Sequence, residues 1–271
     1  MFKRFFNADH GLNLLLTFFT LSFATSQSTN IGYVTYETYS KQRGIQRGPF
    51  ERELYFNATE SLEVILKEDN VYKESISTPL SERKGWSRTD SLGQRLYRNI
   101  KTKEFITRRP PSRISDAFRV EERWIEIDWN IHRDKTKQLE GLKCILATGT
   151  FRGRDYHAWF TPDIPYPFGP WKLHGLPGLI VEAYDDTNTF RFVLFDYDYP
   201  TSVDDKIIER PSSAPLITHK QEVYLSDNFG RLAAEKMNEA LIKKGLQARI
   251  TSTDQPQRSA DAWELIYEWE R

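Results

Sequence analysis

Residues 144–182 read CILATGTFRGRDYHAWFTPDIPYPFGPWKLHGLPGLIVE, and the reading of this stretch decides the fold. A β-like run from Cys144 leads into a proline-punctuated loop, a glycine-rich turn and an apolar strand. Pro162, Pro165, Pro167 and Pro170 lack the N–H that a ladder needs, so Thr161 to Pro170 reads as a stiff loop. Trp159, Phe160, Tyr166, Phe168 and Trp171 line that loop. Preorganised aromatics beside a glycine turn can form the wall of a ligand site. The same aromatics equally suit a loop packed over the end of the core. Leu176-Pro177-Gly178-Leu179 fits a type II turn, with proline presetting the second position and glycine accepting positive φ at the third. Gly175 allows close backbone approach, and Leu179, Ile180 and Val181 enter a buried strand that ends at Asp185 and Asp186.

Working outward, Ile125, Ile127, Trp129 and Ile131 alternate with polar residues, which predicts a strand over Ile125–His132. Arg133 to Glu140 then reads as a charged turn feeding the Cys144 strand. Strands are also expected at Ile31–Tyr39, Glu51–Phe56, Leu62–Lys67, Phe190–Tyr197 and Ile217–Leu225, and as a hairpin of Arg95–Ile100 against Glu104–Arg108. That hairpin is rich in arginine and lysine, and reads as a solvated edge that blunts strand pairing. Tyr199 to Pro215 reads as an exposed loop. Phe229, Leu232, Ala233, Met237, Ala240 and Leu241 form one apolar stripe, which predicts a helix over Asp227–Lys244 lying on the sheet. In the tail, Trp263, Leu265, Tyr267 and Trp269 alternate as a final strand would, with a short helix as the competing reading. The fold class is therefore mainly β (α+β): a curved antiparallel sheet with one long helix packed on it.

Lys3 and Arg4, the apolar run from Leu12 to Phe23, and the small residues Ala24, Thr25 and Ser26 read as a secretory signal peptide over residues 1–26. Residues 27–271 then form a single β-rich domain, periplasmic or secreted, with no transmembrane segment. Lysine plus arginine equal aspartate plus glutamate at 38 each, which gives no electrostatic footprint for nucleic acid. Cys144 is the only cysteine, so an intrachain disulfide is excluded.

The run from Phe151 to Glu182 resembles the GLPGLI family of bacterial exported proteins, named for the hexapeptide that stands here at Gly175 to Ile180. The lead-in from Gly141 to Cys144 is similar as well. The resemblance implies export and a Bacteroidetes lineage, and carries no catalytic residue over. The order of strands with a flanking helix also resembles, by fold analogy, lipoprotein carriers of the LolA type, which hold acyl chains against a curved sheet.

A binding or carrier protein for an apolar ligand, a peptide or an envelope protein is the leading reading. The alternative is a hydrolase, cysteine-dependent or metal-dependent, in which Cys144 works with His157 or His174, oriented by Asp155 or Asp163. The histidines at 132, 157, 174 and 219 are isolated in sequence, so no metal site and no cofactor is expected. Arg152 and Arg154, flanking Gly153 before Asp155, are candidates for clamping a carboxylate or phosphate. An internal Arg–Asp pair that fixes the loop is the favoured account of them.

Overall fold

The computed structural model describes residues 31–42, 44–65, 90–247, 249–251, 258, 260 and 262–270. The signal segment at 1–26 lies outside the described residues. Period-two burial organises the sheet: in β1 (Ile31–Gln42), Val34, Tyr36, Thr38 and Ser40 are buried while Tyr33, Thr35, Glu37 and Tyr39 are not. The remaining strands are β2 (Ile45–Phe56), β3 (Glu60–Ile65), β4 (Gln94–Asn99), β5 (Glu104–Arg109), β6 (Phe118–Glu121), β7 (Asn130–Leu139), β8 (Leu142–Phe151), β9 (Arg154–Thr161), β10 (Leu179–Asp185), β11 (Phe190–Thr201) and β12 (Leu216–Thr218). Among the described residues they form one twelve-stranded sheet in the order β12-β6-β5-β4-β3-β2-β1-β11-β10-β9-β8-β7. Every pairing is antiparallel except β12 with β6. The expected class, a mainly β antiparallel sheet, is the one observed.

The sheet curls until its two wings meet across the core. Arg98 on β4 reaches the loop between β9 and β10, and Arg152 in the β8–β9 turn reaches Glu122 just beyond β6. The Tyr36 hydroxyl donates to the Ile180 carbonyl at 2.7 Å, spanning the intervening β11. Interior residues Phe160, Ile180, Ala183, Phe190 and Phe192 make one continuous apolar surface with Trp171, Leu173 and Leu176 of the loop.

Several local expectations are corrected. Residues 123–129 belong to no strand, the last bond to β5 being that of the Glu122 N–H to the Phe105 carbonyl at 2.8 Å, and β7 begins only at Asn130. Ile127 is nonetheless buried, and the Trp129 indole N–H donates to the His174 carbonyl at 2.8 Å. Alternation there reflects one face lying on the core without a ladder. The supposed charged turn at 133–139 is strand instead, and its charges suit its place at the edge of the sheet.

The helix expected over Asp227–Lys244 is present as α2 (Phe229–Lys243), and an additional helix, α1 (His219–Asp227), precedes it, separated from it by Asn228. Most of the strand expected at Ile217–Leu225 is α1. Thr218 and Gln221 form a reciprocal capping box at its start. No residue of α2 is buried, so its apolar stripe does not lie on the sheet: Met237 is 47% exposed and Ile242 73%. Arg119 of β6 donates to the carbonyls of Pro211 and Ala214 in the loop after β11. The tail holds a short 3-10 turn at Glu268–Glu270 in place of a strand.

Candidate functional site

The loop at 162–178 has little regular structure, yet Ile164, Phe168, Trp171, Lys172, Leu173, His174 and Leu176 within it are buried. Its backbone is held by side chains from the opposite wing. The fully buried Arg98 guanidinium donates to the carbonyls of Gly169 (2.9 Å), Trp171 (3.1 Å) and Leu173 (3.1 Å), and to the Ser61 hydroxyl (2.9 Å). Glu63 accepts from the Trp171 backbone N–H and pairs with Arg52 at 2.6 Å. These contacts hold Trp171 at φ +53°, a conformation that costs an L-residue about 1–2 kcal/mol. The solvated-edge reading of the β4–β5 hairpin is thus overturned: Arg98 and Arg108 are both buried, the latter paired with Asp90.

Both glycines of the hexapeptide take positive φ, Gly178 (φ +155°) as expected, while the close backbone approach expected at Gly175 falls at Gly178 instead. Gly175, at φ +94°, requires the left-handed region, while a Cβ there would meet only ordinary contacts with Trp129. A Cβ on Gly178 would lie 2.1 Å from the Thr161 carbonyl oxygen. The turn is not type II. The Gly178 N–H donates to Leu176 across Pro177 at 2.8 Å, and the Leu179 N–H donates to Ile164 at 2.9 Å.

At the seam between the wings lies a buried ionic cluster. Glu122 Oε2 accepts from Arg152 Nη1 at 2.7 Å and from Lys172 Nζ at 2.6 Å. Glu264 Oε1 accepts from the same guanidinium nitrogen and from Lys172 at 2.9 Å. Arg152 Nε also reaches Glu268 at 3.0 Å, and Arg109 pairs with Glu222 at 2.6 Å. Burial alone would raise the Glu122 carboxyl, but the charges of Lys172 and Arg152 outweigh it and hold the group well below the usual carboxylate range. Buried ions need such mutual compensation, because each alone would cost several kcal/mol in lost hydration.

The tail adds an aromatic to the same region. The Trp263 indole lies on Phe190, with ring centroids 3.9 Å apart and planes 24° apart. Trp171 and Phe192 stand 5.4 and 5.8 Å away, and the Arg52 guanidinium 5.2 Å. Arg154 pairs with Asp185 at 2.9 Å and donates to the carbonyls of Ala260 and Ala262.

Arg152 and Arg154 are thus engaged with internal acceptors, although neither pairs with Asp155, which accepts from Thr150. Phe160, Phe168 and Trp171 are buried, while Trp159 and Tyr166 keep exposed surface. Tyr166 joins Phe56 and Tyr199, at centroid distances of 5.4 and 5.6 Å. Sequence reading missed Glu122, Lys172, Glu264 and Arg98, since nothing local marks a charged residue whose partner is distant in the chain.

Cys144 is fully buried, its thiol donates to the Leu142 carbonyl at 3.5 Å, and burial pushes it up to about 11, which leaves it protonated at neutral pH. His157 pairs instead with Asp186 at 2.7 Å. His174 Nδ1 lies 2.9 Å from the Lys172 carbonyl, and burial lowers the ring to about 4. Glu122, His219 and Glu222 bring one donor atom each within 4.8 Å of one another. The Glu122 oxygen that faces His219 already accepts from Lys172 and Arg152, so resident cations fill the place of an ion's charge. The cluster is accounted for by ion pairing.

Among the described residues no helix is long and apolar enough to cross a membrane. A family profile described as a protein of unknown function (Porph_ging) matches residues 121–182, under a quarter of the chain. That stretch supplies Glu122, Arg152 and Lys172 of the cluster and the whole of the loop. No curated protein matches. Among solved structures the chain is similar to PNGF-II, at TM-score 0.50 and 13% identity, covering 72% of this chain and 32% of that one. The chain therefore spans about a third of PNGF-II's length. It is also similar to an uncharacterised conserved protein from Thermus thermophilus, at TM-score 0.39, 9% identity and coverage of 71% and 92%. A LolA superfamily protein from Nitrosomonas europaea matches at TM-score 0.25 and 10% identity, covering 68% of this chain and 91% of that one. The PNGF-II likeness shows a shared fold.

Proposed function

We propose that the protein is a non-catalytic binding protein of the GLPGLI type, exported to the periplasm or beyond by a leader at residues 1–26. In this reading residues 27–271 act as one domain that holds an apolar ligand or peptide. The observation that carries the reading is a rim of partly exposed aromatics around one core cluster: Trp159, Tyr166, Tyr197 and Tyr199 all pack against the cluster containing Phe56, Phe168 and Leu179. Such a surface offers large rigid contact area at low cost in conformational entropy, with hydroxyls to orient what binds. The hydroxyls of Tyr166 and Tyr199 stand 3.4 Å apart at this rim.

The test is native purification followed by mass spectrometry of co-purifying molecules, on the parent protein and on a Tyr166→Ala, Tyr199→Ala variant. A lipid or peptide recovered with the parent and lost with the variant is the expected result. Recovery of nothing from the parent, or equal recovery from both, overturns the reading.

A further inference from the structure

The segment 262–270 is held against the interior as a peptide is held by a receptor. It belongs to no strand of the sheet. Side chains grip its backbone: Arg154 donates to the carbonyl of Ala262 at 3.0 Å through Nε and at 2.6 Å through Nη2. The N–H groups of Leu265 and Ile266 donate to the Arg152 carbonyl at 2.9 and 3.1 Å. The Trp263 indole enters an aromatic recess of Phe190, Phe192 and Trp171. The next residue, Glu264, meets Arg152 and Lys172, and four residues beyond Trp263 the buried Tyr267 precedes Glu268, which meets Arg152 again. Without this segment, Arg152 and Lys172 face Glu122 with one unit of positive charge in excess, which favours an acidic newcomer.

We propose that the wall formed by Phe190, Phe192, Trp171, Arg152, Arg154 and Lys172 is a recognition groove for a peptide segment carrying an aromatic residue directly followed by an acid. The chain's own Trp263 and Glu264 are its intramolecular occupant, so an external peptide must compete with them. This groove is separate from the Tyr166–Tyr199 rim and does not depend on that rim binding anything.

The probe is a fluorescently labelled peptide AWELIYEWE, the sequence of residues 262–270, titrated by polarisation into the full chain and into a full-length Trp263→Ala, Glu264→Ala variant. Saturable binding to the variant, about tenfold or more tighter than to the parent, is expected. The same peptide with alanine in place of its first tryptophan should not bind, and added salt should weaken the complex. If the variant melts cooperatively yet shows no saturable binding, the groove assignment is overturned. If the variant folds poorly, excess peptide should restore its cooperative melt, and failure to do so overturns the assignment equally. Binding that persists in the Tyr166→Ala, Tyr199→Ala background separates this groove from the rim.

Discussion

The loop at 162–178 and helix α2 make an instructive contrast. The loop is nearly devoid of regular structure, and its side chains from Phe168 to His174 are buried almost throughout. Helix α2 has a regular backbone over Phe229–Lys243, and buries none of its residues. Local backbone regularity and contribution to the core are therefore separate properties in this molecule. Hydrogen-bond donors brought from the far wing do for the loop what a helix does for itself, which is to satisfy backbone carbonyls away from water.

The contrast can be broken first at the ionic seam. Glu122→Ala leaves Arg152 and Lys172 undercompensated in the interior, and should lower unfolding free energy by about 3–5 kcal/mol in urea titrations. A loss below about 1 kcal/mol would mean that the seam does not hold the loop.

His174 gives a second test with its own pH window. Burial lowers its ring to about 4 from the ordinary 6.5, so above 6.5 it is neutral in both folded and unfolded chains and the full stability is present. As pH falls from 6.5 towards 4, the unfolded chain takes up a proton that the folded chain refuses, and about 3 kcal/mol is lost. Comparing urea titrations at pH 7 and pH 4, a His174→Leu variant should show the smaller acid-induced loss. Glu122 acts with the opposite chemistry in a lower window. Its depressed carboxyl contributes stability above the ordinary glutamate value, and that contribution is lost as pH falls below it.

Gly178→Ala comes next, since its Cβ would meet the Thr161 carbonyl at 2.1 Å and force two backbone segments apart. About 2 kcal/mol of destabilisation is expected from such overpacking. An unchanged melting temperature would show that the loop can give way there.

On the helix, Met237→Ala should shift stability by less than about 0.5 kcal/mol, because Met237 is 47% exposed and α2 buries nothing. A loss above about 2 kcal/mol would place α2 against a partner surface and erase the contrast.

The sheet was legible because alternation and turn residues report backbone geometry within a few positions. Leu179 to Val181 on β10 and the run Phe190–Tyr197 on β11 were readable as apolar stretches bounded by turn residues. But β11, read as covered on both faces, buries Phe190, Phe192 and Leu194 on one face and leaves Phe195 exposed on the other. Alternation at Ile125–Ile131 misled, since packing on one face produces the same pattern with or without a ladder. The T-x-x-Q pattern at Thr218–Gln221 is a local signal for the start of α1, and it outweighs the strand-like run in which it is embedded. The seam left no local trace. Arg98 looks like any surface arginine until the fold brings it to three carbonyls more than seventy positions away.

Charge balance at the seam also has a consequence in time. Lys172 and Glu264 are separated by 92 positions and Arg152 and Glu264 by 112, so a chain made from its amino end acquires both cations long before their second anion. In that interval Glu122 alone answers them, and closing the remaining loop is an entropic step that comes late. Refolding should accordingly show a sheet that forms first and a slower, salt-sensitive phase, reported by Trp263 fluorescence, in which residues 262–270 dock.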